Sequence, residues 1–228
     1  MPTEGPSNVE IAHRIHERAH ARGQRQHEML VEILEVLLLA VVAVATAWSG
    51  YQSALWDGQS AKLYGTSSRI RIQATQNETR GGQEQVYDGT TFNFWLQAKL
   101  TRNERLAAGY ERRFRPEYRP AFRAWLALDP LNNLQAPPWP IYMPQYRNAL
   151  VARGAEQNTR ASGVFDQAVS ARDTGDKYVR TTVLLATVLF LIAISQRFGL
   201  FKVRIALMLV ALVLLGIALS SIATYPRL

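Results

Sequence analysis

The chain has 228 residues, no cysteine, 26 Lys or Arg against 18 Asp or Glu, and a formal net charge of +8 at pH 7. The absence of cysteine excludes disulfides, thiolate metal sites, cysteine nucleophiles and iron–sulfur clusters. A mean hydropathy of -0.10 averages two unlike populations: the apolar runs 29–48, 178–196 and 205–223, and the polar, aromatic and proline-bearing region 49–177. Each run approaches the ~20 residues that a helix needs to cross a ~30 Å hydrocarbon core.

The composition therefore predicts an all-α membrane protein with three transmembrane helices and one water-exposed helical domain. The expected layout is a cytoplasmic juxtamembrane helix over 1–28, transmembrane helix 1 over 29–48 and an extracytoplasmic helical domain over 49–177. Transmembrane helix 2 over 178–196, a cytoplasmic turn over 197–204, transmembrane helix 3 over 205–223 and an extracytoplasmic tail over 224–228 complete it. The orientation rests on positive flanks staying cytoplasmic: Arg14, Arg18, Arg22 and Arg25 precede the first run, and Arg197, Lys202 and Arg204 lie between the second and third. The central region, itself basic, is long enough to translocate regardless of charge. Ala45-Thr46-Ala47 resembles a signal-cleavage site, but Glu28, Glu32 and Glu35 and the length of the run argue for a retained first span.

At the start of the chain, Ser7 and Glu10 form a capping box that opens a helix running into the first span. His13, His16 and His20 share one face of it, with His27 seven residues further on. Such a stripe can ligate a metal or sense pH, yet no Cys or clustered Asp completes a ligand set, and a solvated face beside anionic headgroups is the plainer reading. Glu32 and Glu35 lie inside the cytoplasmic end of the first span, as a possible intramembrane coupling site paired with Arg197, Lys202 or Arg204, or as snorkelling acids. The other two spans carry no acid, which disfavours a proton relay.

Thr46, Gly50, Ala54 and Gly58 recur every four residues, a small-residue face for close helix packing, within the molecule or between copies. Trp48, Tyr51, Leu55 and Trp56 suit an interfacial aromatic belt. The run Asn77-Glu78-Thr79-Arg80-Gly81-Gly82 reads as a helix end and turn, with a second helix over 83–115 stopped by Pro116 and Pro120. A short piece over 120–128, an extended proline-rich excursion over 129–144 and a last helix over 145–171 follow. Asp173-Thr174-Gly175-Asp176 either interrupts that helix or is traversed by it.

Three segments are distinctive: Trp48-Ser49-Gly50-Tyr51-Gln52; the run from Arg112-Arg113-Phe114-Arg115-Pro116 to Ala124-Trp125-Leu126; and Ala136-Pro137-Pro138-Trp139-Pro140 with Met143-Pro144-Gln145-Tyr146. In these the chain resembles a group of bacterial inner-membrane proteins with one N-terminal span, a helical segment carrying Arg-Pro and Pro-rich elements, and a membrane hairpin. The resemblance covers most of the chain from the first span onward, implies this layout and location, and implies no activity. Gln145 stands where it would place an acid.

Arg102, Arg105, Arg112, Arg113, Arg115, Arg119 and Arg123, with Glu104, Glu111 and Glu117 among them, form either a patch for anionic lipid headgroups or a partner's acidic face, or a surface laced with modest ion pairs. An extracytoplasmic location argues against nucleic acid. No histidine follows His27, so the central region has no His base or His ligand, and no P-loop, GxGxxG or nucleophile elbow occurs. A Glu111/Glu117 pair would be depressed by flanking arginines. The expectation is a non-enzymatic sensor-like or scaffolding membrane protein without cofactor, a homo-oligomer or the companion of another membrane protein. The alternative is a channel or transporter subunit whose oligomer lines a pore with Glu32 and Glu35.

Overall fold

The computed structural model describes residues 8–198 and 200–228, with side-chain surroundings from residue 29 onward apart from 30, 199 and 201. Ser7 of the capping box and the side chains of His13, His16, His20 and His27 lie outside the described residues. The elements are α1 (Asn8–Leu100), α2 (Glu104–Glu111), α3 (Arg119–Leu126), a 3₁₀ turn (Pro140–Tyr142), α4 (Ala149–Ser195) and α5 (Phe201–Thr224). No strand occurs among the described residues, and three of the helices are long and apolar enough to cross a membrane. The chain divides into two compact units, one formed by residues up to Gln59 with Ser170–Leu228, the other by Ser60–Val169.

In the first, the span unit, Leu38, Val42 and Ala45 of α1 pack with Leu185, Val188 and Ile192 of α4 and Met208, Ala211, Leu215 and Ala218 of α5. Val36, Val44, Val183, Phe190 and Val213 face outward. An apolar exterior of this kind is costly in water and ordinary against lipid, where side chains outside the bundle need no polar cover. The end of the bundle at Ser49 and Tyr178 is tied by hydrogen bonds. The Ser49 hydroxyl donates to the Tyr178 carbonyl at 2.9 Å, and a Cβ added at Gly175 would stand 3.6 Å from the Ser53 carbonyl oxygen. Partner numbers fall along α4 as they rise along α1, so the two helices run antiparallel.

The second, hairpin unit is an antiparallel pair built on small residues every seven positions. Ser60, Ser67, Ala74 and Gly81 on α1 and Gly154, Ala161 and Ala168 on α4 are all buried. A strict seven-residue repeat keeps one seam facing the partner helix. Ser67 Oγ donates to the Ala161 carbonyl at 2.7 Å. At Gly154 a Cβ would lie 3.0 Å from the Ala74 carbonyl oxygen, so only glycine allows this approach. Beyond the pair, Phe92, Trp95, Phe114, Tyr118, Phe122 and Trp125 form an aromatic core with edge-on contacts such as Trp95–Phe122 at 4.8 Å. Trp125 Nε1 donates to the Pro137 carbonyl, which pins the proline-rich excursion on this core.

Several boundaries differ from expectation. The turn over 77–82 does not exist: α1 passes straight through it, because Gly81 is buried against Val151 and its carbonyl accepts from Asn148 Nδ2 at 2.9 Å. Those glycines serve close packing rather than termination. The predicted helix over 83–115 is two pieces. Arg102 adopts φ 58 and Asn103 Oδ1 accepts from the Leu106 amide, so the chain stops at Leu100 and restarts at Glu104. The segment 173–176 lies inside α4, and the connection after Ser195 is shorter than the expected turn over 197–204 because α5 begins at Phe201.

Candidate functional site

The hairpin unit carries one buried polar knot. Asp88, fully buried, accepts from Arg115 Nε and Nη2 at 3.0 Å each and from the Tyr146 hydroxyl at 3.0 Å. Arg115 Nη1 also reaches Glu84 at 2.8 Å. A forked, fully paired guanidinium is the geometry in which a buried carboxylate is tolerated. The hydrogen bonds to Asp88 raise the Arg115 pKa still further above its ordinary value, so it stays charged. Burial, then the Asp88 charge, pushes the Tyr146 hydroxyl up to about 12. Burial first and Asp88 second also raise the Tyr118 hydroxyl, which is without a hydrogen-bond partner among the described residues. The knot joins α1, the α2–α3 connection and the segment before α4, and thereby fixes where the remaining arginines stand.

Those arginines divide. Arg115 is spent inward on Asp88 and so leaves the expected seven-member anionic patch. Arg113 lies over the Tyr110 ring at 5.7 Å, and Arg102 occupies the left-handed turn. Arg105 is exposed on α2. Arg112, Arg119 and Arg123 converge with Glu111 around a concavity of about 410 Å³, floored by Phe114 and Phe122. Two of the three guanidiniums are held by backbone oxygens. Arg119 Nε donates to the Phe114 carbonyl at 3.1 Å and Nη2 to the Arg112 carbonyl at 3.3 Å, while Arg112 Nε donates to the Ala108 carbonyl at 3.3 Å. These bonds fix positions and leave other N–H groups of the forks for a ligand. Arg123 and Glu111 make no ion pair among the described residues. Glu117 instead stands 4.0 Å from Arg115.

No family model, curated protein or solved structure matches this chain.

In the span unit, Glu35 finds the partner expected among three candidates. Arg204 Nε and Nη2 donate to its two carboxylate oxygens at 2.8 and 2.7 Å, and Ser195 Oγ lies 3.4 Å away while donating to the Ile192 carbonyl. Glu35 is 2% exposed. The forked pair clamps α1 to α5. Glu32 is exposed and has no part in this clamp.

Among the described residues the four-residue stripe makes no close internal helix contact. Gly50, Ala54 and Gly58 are exposed, and a Cβ at Gly50 or Gly58 would meet nothing within 4 Å. Thr46 only bonds back to the Val42 carbonyl. The internal seam runs instead through Ser49, Gln52 and Ser53, one helical face away.

The segment after α5, expected as a tail over 224–228, is docked on α1 and α4. Gln52 is fully buried and exchanges two hydrogen bonds with the Leu228 backbone, at 3.2 and 3.1 Å. The Pro226 carbonyl accepts from Trp56 Nε1 and the Tyr178 hydroxyl, at 3.2 and 3.1 Å. Sequence reasoning missed both this latch and the Asp88 knot. The available signal was a Gln and an Asp on positions otherwise occupied by small or apolar seam residues.

Proposed function

We propose that this chain is a non-enzymatic membrane-anchored sensor or scaffold whose hairpin unit binds an anionic group on a lipid or a partner. One observation carries the reading: Arg112, Arg119 and Arg123 around an open concavity, two of them preset by backbone carbonyls. Preset guanidiniums lose little freedom on binding, which favours an oxyanion ligand over a diffuse charge effect. The protein resides, in this reading, in a bacterial inner membrane with its N-terminus cytoplasmic and residues 49–177 extracytoplasmic. The arginines flanking the first span support that orientation. The exposed small face at Gly50, Ala54 and Gly58 supports self-association. Because α1 and α4 each supply residues to both units, binding energy at the hairpin unit has a covalent route to the spans.

The test is titration of the full chain, in detergent and in nanodiscs, with inorganic phosphate and with anionic lipid. Replacing Arg112, Arg119 and Arg123 together with Gln removes saturable binding. Unchanged binding by that triple variant overturns the reading.

A further inference from the structure

The concavity contains an acid that anion binding alone does not explain. Glu111 lines it beside the three arginines, makes no ion pair among the described residues, and is the last residue of α2. A carboxylate there faces the negative end of the helix dipole, an unfavourable place for it. It would also repel a plain dianion from the same cavity. Neither helix stability nor simple anion capture accounts for an acid in this position. A ligand with a positive group next to its negative one does.

The volume agrees. About 410 Å³ lies in the range of small-molecule sites and exceeds the needs of a bare oxyanion. Phe114 and Phe122, almost fully buried, back the concavity and hold its walls in place.

We propose that this concavity takes a phosphate–ammonium zwitterion, with phosphoryl oxygens on Arg112, Arg119 and Arg123 and the ammonium on Glu111. The inference rests on the anion-binding reading above and goes further by naming the ligand class. Phosphoethanolamine has that chemistry, either free or as a lipid headgroup. Specificity comes from opposed effects of one residue: Glu111 attracts the ammonium of the correct ligand and repels phosphates that lack one.

The experiment is calorimetric titration of the full chain with phosphoethanolamine and with ethyl phosphate, which keeps the phosphate and omits the ammonium. The wild type prefers phosphoethanolamine by about tenfold, as expected for one charge-assisted contact. Glu111→Gln abolishes that preference while ethyl phosphate binds as well as before or better. Arg123→Gln weakens both ligands. If the wild type binds the two equally, or Glu111→Gln keeps the preference, the zwitterion is refuted and the anion-binding reading survives. If neither ligand nor inorganic phosphate binds saturably, both fall. Repeating the titration in phosphatidylethanolamine and in phosphatidylglycerol bilayers separates the two sources. A headgroup ligand blunts the soluble titration only in phosphatidylethanolamine, whereas a free ligand titrates alike in both.

Discussion

Replacing Arg115 with Met, which keeps most of the apolar bulk, removes three hydrogen-bonding contacts at once: two to Asp88 and one to Glu84. The two acids then fare differently. Glu84 is a third exposed and can rehydrate, but Asp88 is fully buried and keeps only the Tyr146 hydroxyl as donor. Breaking a buried pair by deleting one partner costs about 3–5 kcal/mol. Asp88→Asn costs less, roughly 1.5–3 kcal/mol, since Arg115 retains Glu84 and the site loses charge rather than gaining an orphan. The double variant is therefore more stable than the sum of the single effects predicts, by roughly 1 kcal/mol or more. The assay is thermal unfolding of the full chain in one detergent. At about 2–4 °C per kcal/mol for a chain of this size, Arg115→Met lowers the midpoint by roughly 6–20 °C. Amide exchange around Asp88 should rise in the same variant. A midpoint within about 3 °C of wild type, or strict additivity in the double variant, would refute the account of Asp88 as a carboxylate kept buried by this one guanidinium.

Gly154→Ala places a methyl against the Ala74 carbonyl and destabilises by about 1–3 kcal/mol, whereas Gly58→Ala meets open space and stabilises α1 by up to ~1 kcal/mol; unfolding midpoints of opposite sign check this. Gly50→Leu with Gly58→Leu blocks the small face proposed for self-association, and native mass spectrometry should show a smaller assembly than wild type with the unfolding midpoint retained; an unchanged mass would remove that proposal. Glu35→Ala removes the forked Glu35–Arg204 bonds between α1 and α5 and loosens α5, seen as faster protease cleavage in the connection after Ser195; equal cleavage rates would remove the clamp. For pH, Tyr146 keeps its proton up to about 12 in the folded chain, above the ordinary tyrosine value of about 10. The unfolded chain loses that proton first, so stability is full below about pH 10 and falls as pH rises through about 12. Tyr146→Phe should flatten this alkaline loss, read as the unfolding midpoint against pH.

What could be read in advance followed from length and period; what could not depended on which of two patterns won. The apolar runs exposed the three spans because bilayer thickness sets a length that chemistry cannot disguise. The arginine run between Arg102 and Arg123 was visible too, but not its division. Whether Arg115 turns inward depends on Asp88, a single acid on α1 distant in sequence. The helix end at Leu100 was missed since Thr101-Arg102-Asn103 contains neither Gly nor Pro, and the stop is made by a non-glycine residue at positive φ with an Asn cap behind it.

The most instructive miss is the seam of α1, which carries two small-residue stripes. Thr46, Gly50, Ala54 and Gly58 repeat every four residues; Ser60, Ser67, Ala74 and Gly81 repeat every seven. At 3.6 residues per turn, each four-residue step advances about 40° around the helix, so such a stripe winds off any straight partner within three or four steps. A seven-residue step drifts only ~20°, and slight supercoiling absorbs it. Over the length of the hairpin unit only the seven-residue stripe can stay against α4, and that stripe is the buried one. The four-residue stripe suits a short contact with a helix crossing at an angle. Among the described residues no such helix reaches Gly50 or Gly58, and the four-residue stripe stays exposed.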